Sequence, residues 1–208
     1  NARTAVDMIN PQTFLHLNHD QQQLVTEAAA LYRERTRHLW IIAEGEDGQH
    51  TRLNVEAINR RVEEHKAITG AYPVVFVDYL QIIAGSDQKT DKANMDDIIT
   101  RLRKMSRGKY PVVVVSSFNR NNYYTEASMA AFKESGSIEY SADVLLALEP
   151  RNMNDNTTPT ATAKNKDAVK DTTNMETWPV QLSVLKNRLG RRDVAINFDY
   201  TAKLNIYE

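Results

Sequence analysis

Residues 74–78, Val-Val-Phe-Val-Asp, and 111–117, Pro-Val-Val-Val-Val-Ser-Ser, limit the folds open to this chain more than any other stretch. Each is a short, unbroken apolar run that stops at an acid or a pair of hydroxyls. A strand with one wet face alternates apolar and polar residues, whereas continuous Val runs suit strands buried on both sides of a parallel sheet. Between the runs, Met95, Ile98, Ile99, Leu102 and Met105 fall in helical register. Strand, helix, strand is the unit of an α/β fold in which helices cover a parallel sheet.

The flanking sequence extends this reading. Asp20 can cap a helix over 21–36, with Leu24, Ala28, Leu31 and Val25, Ala29, Tyr32 as its apolar stripe. Residues 38–44 read as a short buried strand. Asn54 caps a further helix carrying Val55, Ile58, Val62 and Ile68, and Gly70 closes it. Pro73 opens the strand that ends at Asp78. Residues 142–149 make another strand, and 180–188 with 192–200 alternate as a β-hairpin around Leu189-Gly190. The hairpin is expected to extend the parallel sheet with antiparallel strands, and 203–208 to add an edge. Residues 151–177 are rich in Asn, Asp, Thr and Lys and read as a flexible loop. The whole chain, 1–208, is then one partial domain. Asn1-Ala2 reads as the residue of a cleaved tag, with natural sequence from Arg3 onward as a fragment of a longer protein.

Composition removes several chemistries. With no cysteine, disulfide frameworks, thiolate zinc sites and Cys nucleophiles are all excluded. The five histidines show no ligand-pair spacing, which argues against a His-based metal centre. A net charge of −1 means that any surface for nucleic acid must be local. No apolar stretch approaches a membrane span and no signal pattern opens the chain, so a cytoplasmic protein without a membrane partner is expected.

Asp78 is the first candidate for chemistry. Ligands of open α/β sheets sit at the carboxyl ends of the strands, where a carboxylate can hold Mg²⁺ through water. An Asp capping the next turn would look the same. In 134–143, Glu-Ser-Gly-Ser-Ile-Glu-Tyr-Ser-Ala-Asp, the Ser-Gly-Ser centre offers backbone N–H groups with little bulk, suited to a phosphodiester, and Lys133 adds charge beside it. An ordinary turn has the same composition. Lys186, Arg188, Arg191 and Arg192 lie along the hairpin, and residues two apart in a strand project to one face. Two such cations suit a partner's phosphates, and they equally suit a solvated edge. Gly108-Lys109 imitates a phosphate loop, but Arg103 and Tyr110 occupy the positions such a loop gives to Gly and Ser or Thr.

In this order, Val-Val-Phe-Val-Asp-Tyr-Leu-Gln-Ile-Ile-Ala-Gly (74–85), Val-Val-Val-Val-Ser-Ser-Phe-Asn-Arg (112–120), Lys-Glu-Ser-Gly-Ser-Ile-Glu-Tyr-Ser-Ala-Asp (133–143) and Val-Leu-Lys-Asn-Arg-Leu-Gly-Arg-Arg-Asp (184–193) resemble the C-terminal ATPase domain of DnaB-type replicative helicases. The resemblance runs from about residue 53 to the end, while residues 1–50 match only in element order. It implies a RecA-like three-layer core with helices on both faces of a mainly parallel sheet. It also implies a homo-hexameric ring that hydrolyses ATP with Mg²⁺ at subunit junctions, moves along single-stranded DNA, and works with a primase or a loader.

Residue by residue, Asp78 resembles the Walker B acid holding Mg²⁺ through water. Ser116, Ser117, Asn119 and Arg120 resemble the strand end that senses the γ-phosphate. Lys133, Glu134 and Gly136 resemble the loop holding the DNA backbone. Lys186 and Arg188 resemble the pair that reaches a neighbour's nucleotide, with Arg188 as the finger. Ser117 stands where the family has Gln, and Asn119 or Ser116 could take its place. The family's Walker A loop and catalytic Glu have their places upstream of Asn1, so this chain alone is expected to bind ATP weakly and not to hydrolyse it. A non-catalytic module that holds DNA or a partner is the alternative reading, and a recombination ATPase of RecA type is a third.

Overall fold

The computed structural model describes residues 11–43, 53–85, 89–118, 126–129, 136–151 and 175–208. Helices α1 (Pro11–Leu15), α2 (His19–Arg35) and α3 (Val55–Thr69) lead to strand β1 (Val75–Val77) and a 3₁₀ turn at Leu80–Ile82. Helix α4 (Asp91–Ser106), strand β2 (Val112–Val114) and helix α5 (Gly136–Ser141) follow. Strands β3 (Val144–Pro150), β4 (Thr177–Asn187), β5 (Val194–Thr201) and β6 (Ile206–Tyr207) complete the chain. The protein is α/β.

The helix ends follow local chemistry. Asn54 caps α3 by accepting from the Ala57 amide at 2.9 Å, and Gly70 ends it with φ 79°, a conformation that costs glycine little. Thr90 caps α4 through the Ala93 amide. The cap of α2 is Asn18, in a reciprocal box with Gln21, and not Asp20. Asn18 holds the extended backbone that a cap needs, while Asp20 already lies inside the helix, in its first turn.

β1 and β2 pair in parallel, Val75 opposite Val112 and Val77 opposite Val114. One face is sealed by α3 and α4 around Val55, Val77, Leu80, Ile83, Ile98 and Leu102, with Ile138 of α5 packed against them. The other face is open: Phe76 is 70% exposed, and Val74, Val113 and Val115 are exposed with it. The expectation of strands covered on both sides therefore fails among the described residues, because the helices that pack on this pair, α3, α4 and α5, lie on the side of Val75 and Val77.

The hairpin also departs from expectation. β3, β4, β5 and β6 hydrogen-bond in that order as an antiparallel sheet, separate from β1–β2. β3 runs antiparallel to β4 along its whole length, from Val144 opposite Asn187 to Pro150 opposite Val180, and so joins the hairpin rather than the parallel pair. Antiparallel pairing thus outweighs parallel pairing among the described residues. Residues 38–43 form no strand; Leu39, Trp40 and Ile41 are exposed, and without a neighbouring strand an extended segment has no ladder to join. The stripe of α2 is likewise uncovered, with no buried residue in that helix.

Candidate functional site

Asp78 follows directly on β1, at the carboxyl edge of the parallel pair, and is exposed. Among the described residues its carboxylate makes no hydrogen bond or ion pair. The chain then turns at once: the Asp78–Tyr79 peptide is cis, and the Leu80 amide donates to Val115 O at 2.8 Å. That bond fastens the turn after β1 to the end of β2. Gln81, in the same turn, donates to Ser116 Oγ at 3.0 Å. Asp78, Gln81 and Ser116 thus share one edge, held by a main-chain and a side-chain bond. The place of Gln81 was readable in Asp-Tyr-Leu-Gln, but nothing in the sequence gave it a partner.

Ser117 lies beside Ser116 and is exposed. Asn119, Arg120, Lys133 and Glu134 fall outside the described residues, as do 1–2 and most of the proposed loop, 152–174. Gly136 is described, and it corrects the expected turn: Gly136 and Ser137 do not lie in a loop before β3 but open α5. Only Ala142 and Asp143 separate that helix from the strand.

Lys186 and Arg188 do turn the same way, and what they meet is the far end of α5. Lys186 Nζ donates to Glu139 O at 2.5 Å, and Arg188 Nη2 donates to Tyr140 O at 2.9 Å. Arg103 of α4 donates to Ser141 O. Three cations thus sit on the carbonyls that a helix leaves unsatisfied at its carboxyl end, where its dipole favours positive charge. Asp143 sits among them, 3.1 Å from Arg188 and 3.8 Å from Arg103. Arg188 keeps 42% of its side chain exposed, so it is held at the surface and not packed into the core. Arg191 and Arg192 are exposed at the hairpin tip and take no part.

The arrangement suits magnesium as a nucleotide's companion better than magnesium in a protein cage. Among the described residues no three His, Asp or Glu side chains converge. An exposed acid beside a hydroxyl can hold a hydrated ion whose other ligands come from phosphate. No described helix is long and apolar enough to cross a membrane.

A comparison with curated proteins finds no match. The profile of the DnaB-like helicase C-terminal domain family matches residues 3–208, reaching well upstream of the segments whose motifs suggested it. The edge that gathers Asp78, Gln81 and Ser116 and the cations gathered on α5 therefore lie in a chain that belongs to the DnaB-like helicase C-terminal domain family.

Proposed function

We propose that this chain is the C-terminal motor domain of an ATP-dependent DNA helicase of replication, working as a homo-hexamer on single-stranded DNA. The supporting observation is the shared edge: an exposed Asp78, without a partner among the described residues, follows one parallel strand, and a Ser116 tied back by Gln81 follows the next. In that reading Asp78 holds Mg²⁺ through water, and the ion bridges ATP phosphates. Ser116 and Ser117, with Asn119 and Arg120, register the γ-phosphate. Lys133, Glu134 and Gly136 grip the DNA backbone. Lys186 and Arg188 approach the nucleotide of the neighbouring subunit, and the RecA-like three-layer core is completed around β1 and β2. The sequence contains no Walker A motif, so the 208-residue chain by itself is expected to bind ATP weakly without turnover.

The test is Arg188→Ala in an assembled ring that carries a Walker A loop and hydrolyses ATP. Finger loss removes transition-state stabilisation worth roughly 10³-fold or more in kcat, with nucleotide affinity largely kept. Undiminished turnover would remove Arg188 from that role. If the assembled protein holds single-stranded DNA yet never hydrolyses ATP, the non-catalytic reading replaces this one.

A further inference from the structure

Glu149 is the one charged side chain buried among the described residues, 6% exposed, and the proposed function makes no use of it. It lies on the inner face of β3 with Leu145 and Ala147, at a phase where an apolar residue is expected. Buried carboxylates persist where donors surround them, and three do so here. Gln181 Nε2 and Ser183 Oγ of β4 both donate to Oε1 at 2.9 Å. Oε2 receives the main-chain amide of Ala127 at 2.6 Å. Two β4 side chains thus fix one oxygen and orient the other toward residues 126–129.

We propose that Glu149 is a positioning residue: it pins the connection between the nucleotide-sensing strand end and the DNA-gripping segment, and so sets the grip on single-stranded DNA. Ala127 lies about midway in sequence between Ser117 and Gly136. An anchor on one amide limits where the main chain on either side of it can go. A hydrogen bond to a charged group is among the stronger anchors a main-chain amide can have. The DNA side of this inference rests on the proposed function; the anchor itself does not.

The experiment uses the 208-residue chain and the Glu149→Gln variant, which keeps the shape but places an N–H₂ among groups that are already donors. Amide hydrogen exchange is followed at Ala127, and binding of a fluorescent oligo(dT) by anisotropy. Exchange at Ala127 is expected to rise about tenfold or more, while β1 and α4 amides stay protected. Oligo(dT) affinity is expected to fall about fivefold or more, part of the worth of one charge-assisted bond. Should Glu149→Gln not fold, Ser183→Ala removes one of the two groups holding Oε1 and is expected to move both readouts the same way, by less. Unchanged exchange at Ala127 overturns the anchor. Faster exchange with unaltered oligo(dT) affinity leaves Glu149 only structural, and overturns the positioning role. Lys133→Ala separates the two levels: it is expected to weaken binding and flatten the salt dependence. If Lys133→Ala weakens binding and Glu149→Gln does not, this inference alone fails. If the unsubstituted chain does not bind oligo(dT), the DNA reading fails and the positioning role fails with it.

Discussion

At the scale of single residues, two buried polar groups behave oppositely. Glu149 has every oxygen engaged, whereas the Tyr110 hydroxyl is buried with no hydrogen-bond partner among the described residues. An unpaired buried hydroxyl carries its desolvation cost uncompensated. Tyr110→Phe should therefore leave stability unchanged or raise it by up to about 1 kcal/mol in urea denaturation. A loss of stability instead would show that the hydroxyl has a partner. The same site gives a pH signature. Burial, followed by the nearby Glu63 carboxylate and Tyr72, pushes the Tyr110 phenol above its usual range. The unfolded phenol then ionises first as pH climbs past about 10, so this contribution is whole below that point and is lost through the alkaline range. Tyr110→Phe should lack that part of the alkaline decline. Residue chemistry of this kind is only half legible in a sequence. The place of Asp78 at a strand end could be read because strand ends announce themselves; Glu149 could have been suspected from an acid in apolar phase, but its three donors come from residues 127, 181 and 183, which only folding assembles.

Elements were read best where their signals are local. Asn54 and Gly70 bracket α3 as expected, since a cap and a left-handed stop act within one turn. Asn54→Ala should cost about 1 kcal/mol in thermal or urea unfolding, and an unaltered midpoint would deny the cap its part. Strand partnership was read less well, because hydrophobic pattern fixes which face is apolar and not which strand lies alongside. Val144, Leu146 and Leu148 alternate with buried Leu145 and Ala147, a sign of one covered face and of antiparallel company. Residues 38–43 have strand composition and no strand, the ordinary result when no ladder is within reach. The Ser-Gly-Ser segment reads as a turn by composition, yet its Gly136 and Ser137 start a helix whose other end is occupied by Lys186, Arg188 and Arg103. No local rule foresees that, since the cations come from distant parts of the chain.

At the scale of the molecule, the telling asymmetry is the parallel pair, covered on one side and bare on the other among the described residues. Phe76→Lys should change the stability of this chain by no more than about 0.5 kcal/mol, as surface substitutions do. Charge at Val77, on the sealed side, should be severely destabilising. A large loss for Phe76→Lys, measured by urea unfolding, would mean that this face is covered after all.

The clasp on α5 has one more implication. Lys186 and Arg188 are already engaged, with Glu139 and Tyr140 as their hosts. A helix of six residues has little else to steady its final carbonyls. Any neighbouring molecule that recruits Arg188 must outbid those oxygens, and on winning leaves the short helix less well tethered. Because the helix runs only from Gly136 to Ser141, release of Arg188 is expected to fray it first at Tyr140, and a single lost contact then reaches a large share of its length.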